Sequence, residues 1–301
     1  MKRLFCQIVL ILGFVLGAAA QTATTEALPF LRFQRDAATL GMAGAGSSMT
    51  DGSRQAAALF VNPAALVFAP SRMAVSASYA SWFPQAGAAS SCQAGASLKL
   101  GSRMALTAGV VSQRDKEAFE DYTPNALVAG GGLSLAPSAS FALGLAVKYA
   151  AMNYTPEMSL SAVSADVLAQ IHRPAFNLAA GVMALGSKVK STTGEYALPT
   201  SLKAAADYSL DFSAVSLTAA ADADWFLSSG SLAVSAGVQA RVYEWFLLRG
   251  GYRYAAPGGV LPSMITLGAG VQYAGAALNL AYVLSDTNMA GTLMAGLSYA
   301  F

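Results

Sequence analysis

The sequence predicts an all-β fold: a 14-stranded antiparallel transmembrane β-barrel with an N-terminal plug, or hatch, of short helices and turns. Three observations predict it. The 301-residue chain is 55% hydrophobic with a mean hydropathy of +0.47, yet past residue 20 its apolar residues alternate with small or charged ones. They never form the uninterrupted run of about 20 that a spanning helix needs. Only 11% of residues are charged, less than half of the roughly 25% of soluble domains, so a wetted outer surface would be hard to build. Most alternating segments approach the 9 to 11 residues, roughly, that cross a bilayer at a tilt.

The N-terminus reads as an export signal. Lys2 and Arg3 precede an apolar run over residues 4–15 and the small-residue site Ala18-Ala19-Ala20, the layout of a secretory signal peptide over residues 1–20. Cys6 falls within it, which leaves Cys92 alone and excludes an intramolecular disulfide framework. A net charge of +2 gives no electrostatic footprint for nucleic acid.

Residues 21–72 are expected to form the plug. They are rich in Ala, Gly and Ser, carry Arg32, Arg35, Asp36, Asp51 and Arg54, and show no period of two. A helix is expected around residues 53–60, with a break at Asn62-Pro63. The barrel is expected over residues 73–301, with strands at 73–81, 91–100, 103–112, 126–135, 140–150, 160–172, 175–186, 199–210, 213–225, 231–242, 245–254, 262–273, 276–285 and 291–301. The long links fall at 82–90, 113–125, 151–159, 187–198, 226–230, 255–261 and 286–290, with tight turns such as Gly101-Ser102, Tyr243-Glu244 and Ala274-Gly275 between them. Strict alternation of long and short links is the habit of outer-membrane barrels, and it leaves both chain ends on the periplasmic side.

Charge parity gives the strands an inside and an outside. Lys99, Lys148, Lys203, Asp207, Asp222, Asp224, Arg241, Arg249 and Arg253 each sit opposite the larger apolar set of their strand. All nine are expected to face the lumen, because a lysine or arginine facing lipid at mid-membrane costs about 2 to 4 kcal/mol. The other inward positions are mostly Ala, Ser and Gly, too small to fill a barrel of this strand number. Trp82, Trp225 and Trp245, with Tyr149, Tyr252, Tyr254, Tyr273, Tyr282 and Tyr299, are expected to form the aromatic girdles.

Other motifs resolve against catalysis. The run Gly41-Met42-Ala43-Gly44-Ala45-Gly46 lacks the spacing of a nucleotide loop and reads as close backbone packing inside the barrel. Asp222 and Asp224 share a strand face, where pairing with lumen arginines or with the plug is favoured over acid–base work. The single histidine, His172, falls in an expected tight turn, which argues against a histidine-based metal site or nucleophile activation at the external rim. No cofactor is implied. Arg114, Asp115, Lys116, Glu117, Glu120 and Asp121 form the densest charge run, a solvated outer loop or a partner-contact surface. Gly130-Gly131-Gly132 is the sequence feature that could kink a strand and open the wall, with eased curvature as the competing reading.

Three ordered motifs carry a resemblance: Leu28-Pro29-Phe30-Leu31, then Ala37-Ala38-Thr39-Leu40-Gly41-Met42-Ala43-Gly44-Ala45, then Val61-Asn62-Pro63-Ala64-Ala65-Leu66. With the strand count and terminal Phe301, the chain resembles the PorV/PorQ outer-membrane family. More distantly, it is similar to the FadL-type long-chain fatty acid transporters, whose N-terminal hatch bears an Asn-Pro-Ala element. The resemblance implies a plug motif of Gly41, Gly44, Gly46, Asn62, Pro63 and Ala64. It implies a non-enzymatic binding or anchoring component of type IX protein secretion, with secretion-machinery proteins or secreted cargo as partners. The alternative it implies is a FadL-like transporter of hydrophobic small molecules across the outer membrane. Either way the surroundings are outer-membrane lipid, and Tyr299 and Phe301 are implied to signal barrel assembly.

Overall fold

The computed structural model describes residues 26–84, 89–115, 123–155, 158–191, 194–256, 261–285 and 287–301. The expected signal peptide and Lys116, Glu117, Glu120 and Asp121 lie outside the described residues. From residue 73 the chain forms β1 (Met73–Trp82), β2 (Ala89–Lys99), β3 (Met104–Asp115), β4 (Asn125–Ser138), β5 (Phe141–Thr155), β6 (Met158–His172), β7 (Phe176–Gly186), β8 (Val189–Ser191) and β9 (Gly194–Tyr196). It continues with β10 (Ser201–Asp211), β11 (Val215–Phe226), β12 (Ser231–Val242), β13 (Phe246–Ala255), β14 (Met264–Tyr273), β15 (Ala276–Leu284) and β16 (Leu293–Ala300).

Fourteen of these close into an antiparallel barrel in chain order, with β7 beside β10 and β8–β9 set apart as a small hairpin. β1 meets β16 in register from Ala74↔Ala300 to Ser81↔Leu293, so the closed sheet has no free edge, as a spanning sheet requires. Outward positions are apolar around the circumference: Val75, Leu127, Leu145, Leu178, Leu202, Val238, Ile265 and Leu297 are all exposed. A face of this kind needs hydrocarbon around it.

Links alternate as expected, with exceptions that the hydrogen bonding explains. Residues 151–155 and 158–159 do not form a long link; β5 and β6 continue to pair out to Thr155↔Met158. Residues 113–115 likewise belong to β3, where Arg114 pairs with Asn125 of β4. At the tight-turn end, Tyr243-Glu244 and Ala274-Gly275 each put two successive residues at positive φ, the twist that a short hairpin turn favours. At the other end β8–β9 folds over the plug, with Ala27 N–H donating to Ala197 O at 2.9 Å.

Residues 26–72 fill the interior. They contain a 3-10 turn (Pro29–Arg32), a one-turn helix (Ala37–Leu40), a 3-10 turn running into a second helical turn (Gln55–Ala57, Ala58–Val61) and a longer 3-10 helix (Pro63–Phe68). The break falls at Asn62, whose Oδ1 accepts from Ala64 N–H at 2.9 Å and caps the helix that Pro63 begins. Leu28, Leu40, Met42, Leu59 and Leu66 are fully buried, so the hydrophobic core lies between plug and wall.

Two wall features differ from expectation. Trp82 does not belong to a lipid-facing girdle: it is fully buried, its ring 5.1 Å from that of Phe33 and its Nε1–H donating to Ser91 Oγ at 2.8 Å. It shares the parity of Ser78 and Ala80, which face the plug. Gly130, Gly131 and Gly132 do not open the wall either, since β4 pairs without interruption through them to β3 and β5. The mid-strand irregularity among the described residues lies elsewhere, the other register shifts falling at the strand ends Leu135/Ser138 and Asn153/Thr155. Pairing of β6 with β7 slips between Ala165 and Val167, and β10 follows β7 only as far as Met183.

Candidate functional site

All nine charges expected in the lumen face inward, and four of them, Lys99, Asp207, Asp222 and Arg249, hydrogen-bond to the plug. On β11 the Asp222 carboxylate accepts from Gly46 N–H at 2.8 Å and from Ser47 N–H at 3.3 Å. Gly46 has φ +95°, a left-handed conformation that glycine adopts without steric cost and that aims its N–H at the wall. Lys203 on β10 bridges Asp222 at 3.4 Å and Asp224 at 3.0 Å. Also on β10, Asp207 accepts from Ser48 Oγ at 2.6 Å and from Asn177 Nδ2 at 2.8 Å. Asp222 meets the plug as expected, and both it and Asp224 pair with Lys203 rather than with the expected arginine.

Asn62 sits at the centre of a second contact. Its Nδ2 donates to Ser47 O at 3.0 Å and to Gln170 Oε1 at 2.6 Å, while Gln170 Nε2 donates to Ser48 O at 2.7 Å. A single asparagine thus ends one helical turn, starts the next and ties both to β6. Pro63 and Ala64 lie against Gly144 of β5, where a Cβ would come within 2.7 Å of Ala64 Cα. Gly41 lies against Gly268 of β14 less tightly: a Cβ on Gly41 would lie 3.1 Å from Gly268 Cα. Gly44 has φ +92°, so the motif glycines serve close packing and turning.

Arg249 makes the third contact. Its Nε donates to Gln239 Oε1 at 2.7 Å, Nη1 to Asn279 Oδ1 at 2.8 Å and Nη2 to Ser53 Oγ at 3.3 Å. Within the plug Arg54 pairs with Asp51. Burial opposes ionisation of Asp51, but Arg54, Arg249, the Ser53 hydroxyl and Arg241 outweigh it and hold the carboxyl well below the usual range. Lys99 Nζ donates to Ala69 O at 2.6 Å, and Arg253 Nη1 to Ser235 Oγ at 3.3 Å. Arg241 shares the inward parity of Gln239 near the tight-turn end of β12.

Lys148 pairs with Asp166 at 2.5 Å, a fully buried carboxylate absent from the expected set. Asp166 also accepts from Ala184 N–H at 2.7 Å, which anchors the irregular stretch of β7. His172 ends β6, its ring stacked on Phe68 of the plug at 4.7 Å and its Nδ1 2.6 Å from Asn177 Oδ1. Among the described residues no three His, Cys, Asp or Glu side chains converge as metal ligands would.

Between plug and wall lies a cavity of about 90 Å³ bounded by Arg32, Arg35, Lys148, Lys203, Asp224 and Arg253 among others. Its lining is cationic. A benzene ring sits in an apolar cavity of about 150 Å³, and a water takes up roughly 30 Å³, so this space holds a few waters or a small polar group.

The barrel and its N-terminal segment superpose on solved structures. A toluene transporter of Pseudomonas putida, TodX, superposes with a TM-score of 0.62 at 15% identity, over 88% of this chain and 98% of that one. The fold is that of the FadL-type outer-membrane barrels. CymD, a monoaromatic hydrocarbon channel, gives a TM-score of 0.62 at 12% identity over 88% and 97% of the two chains. A FadL homologue of Pseudomonas aeruginosa gives 0.55 at 14% over 88% and 98%. No protein-family model matches the sequence, and no curated protein is similar to it by sequence. These likenesses extend to the fold of a FadL-type barrel; identities this low carry no residue-by-residue transfer of a binding site.

Proposed function

We propose that this protein is an outer-membrane channel of the FadL type that passes hydrophobic or amphipathic small molecules beside a plug of residues 21–72, after export directed by residues 1–20. The observation that carries the reading is the closed fourteen-strand barrel filled by a separate N-terminal segment, the architecture shared with TodX and CymD. Hydrogen bonds and close packing hold the plug to the wall, and these contacts can exchange without unpairing the strands. The space beside it is too small for a cargo molecule, so passage requires the plug to shift.

The test is reconstitution of the full chain in liposomes, with influx of radiolabelled toluene and octanoate measured against empty vesicles. Faster influx of either is expected. Influx at the rate of empty vesicles, for a protein that retains its heat-resistant barrel, overturns the channel reading.

A second reading, a non-enzymatic anchor in type IX secretion, is supported by the ordered motifs at residues 28–31, 37–45 and 61–66 and by the charged run that begins at Arg114 and Asp115, at the end of β3. Recovery of secretion-machinery proteins with the chain from native membranes is its test.

Tyr299 and Phe301 are proposed to signal assembly. Phe301 faces outward, its ring edge-on to Tyr299 at 4.7 Å, and its backbone closes the barrel through Phe301 N–H to Met73 O at 2.9 Å. Deleting Phe301 is expected to lower the folded barrel in outer-membrane fractions by several-fold; unchanged assembly would exclude the role.

A further inference from the structure

Five cations line the cavity beside the plug: Arg32, Arg35, Lys148, Lys203 and Arg253. Arg32 pairs with Glu26, Lys148 with Asp166, and Lys203 with both Asp222 and Asp224. Four carboxylates therefore answer three of the five cations. Among the described residues, neither Arg35 nor Arg253 has a carboxylate at ion-pair distance.

Both guanidiniums are buried, Arg35 to 5% exposure and Arg253 to 3%. Arg35 Nη2 donates to Phe30 O, but its Nη1 is buried without a hydrogen-bond partner, as is Arg253 Nε. The Thr39 hydroxyl, on the same cavity, is also unpartnered. The adjacent carboxylate, Asp36, instead accepts from Thr39 N–H at 2.9 Å and caps a helical turn. An uncompensated buried cation is expensive, and burial alone pushes the Arg35 guanidinium down to about 9.

We propose that this cavity binds one small monovalent oxyanion of carboxylate size, held by Arg35 of the plug and Arg253 of the wall, and that the anion fastens plug to barrel. The volume of about 90 Å³ suits a carboxylate with a short substituent and excludes an aromatic ring. The unpartnered donors are the kind a carboxylate satisfies with short charge-assisted hydrogen bonds. The inference does not rest on the channel reading, since the same two guanidiniums stand without a carboxylate partner among the described residues whatever the barrel carries.

Equilibrium dialysis of radiolabelled acetate against the full chain in non-ionic detergent tests it, with gluconate, too bulky for the cavity, holding ionic strength constant. Saturable binding of one acetate per chain is expected, along with a thermal midpoint that rises with acetate concentration. Arg35→Gln and Arg253→Gln should each weaken binding about tenfold or more, Arg35→Lys should restore part of it, and Arg35→Gln without acetate should melt no lower than wild type. Octanoate, too long for the cavity, should bind no tighter than acetate; much tighter octanoate overturns the proposal of a small oxyanion. Absence of saturable acetate binding, or equal acetate binding by wild type and both glutamine variants, overturns it as well.

Discussion

Replacing Asp222 with alanine is expected to release the plug. The carboxylate is 2% exposed and makes two kinds of contact: it accepts from the backbone of Gly46 and Ser47, and it pairs with Lys203. Removing it leaves two buried N–H groups unpartnered and Lys203 with Asp224 alone. Each buried donor left unsatisfied costs about 1 to 3 kcal/mol, and that cost falls on the interface between plug and barrel, since Lys203 keeps Asp224 at 3.0 Å and the β10–β11–β12 pairing around Asp222 is made by backbone groups.

Two measurements follow. Proteolysis of the folded barrel should cut Asp222→Ala within residues 40–60 under conditions that spare wild type, while the strands remain protected. Asp222→Asn keeps a side-chain oxygen that can accept from Gly46 N–H, so its loss should be smaller, about 1 to 3 kcal/mol. If Asp222→Ala protects its plug as well as wild type does, the carboxylate is not the anchor.

The parts legible in the sequence were those with a local period. Charges opposite a strand's large apolar residues turned inward without exception, because lipid enforces the rule at every strand. Asp166 escaped the same test because β6 places Leu160 and Leu168 on its inward face and Val163, Val167 and Ile171 outward; with apolar residues on both faces, parity carries no signal. Trp82 was legible and misassigned: its parity with Ser78 and Ala80 points inward, and position near a strand end is weaker evidence than side. The pairs that hold the plug were not legible. Gly46 and Asp222 lie 176 residues apart, and Asn62 and Gln170 lie 108 apart. They join an aperiodic segment to a periodic one, so no spacing links them.

Two strand glycines supply the sharpest packing test. On β4 Gly131 shares the outward parity of Leu127 and Leu135, whereas on β5 Gly144 shares the inward parity of Lys148; parity gives the side, but not what lies against it. At Gly131 a Cβ would meet only Thr107 O at 3.6 Å, on an exposed face. At Gly144 it would overlap the backbone of Pro63 and Ala64, which cannot rotate aside as a side chain could. Overpacking typically costs about 1 to 3 kcal/mol when side chains adjust; here the capped turn itself must move, so Gly144→Val should reach or exceed the upper end. Moving that turn also strains the Ser134 Oγ–H···O=C bond to Ala64 at 3.2 Å and the Asn62–Gln170 bond. Gly144→Val should therefore lower the thermal midpoint and speed amide exchange across residues 58–68, with Gly144→Ala intermediate. Gly131→Val should change stability by no more than about 0.5 kcal/mol, as for other exposed positions. Equal tolerance of valine at both sites would mean that the plug does not rest on Gly144, and that the Asn62-Pro63-Ala64 turn is held by its hydrogen bonds alone.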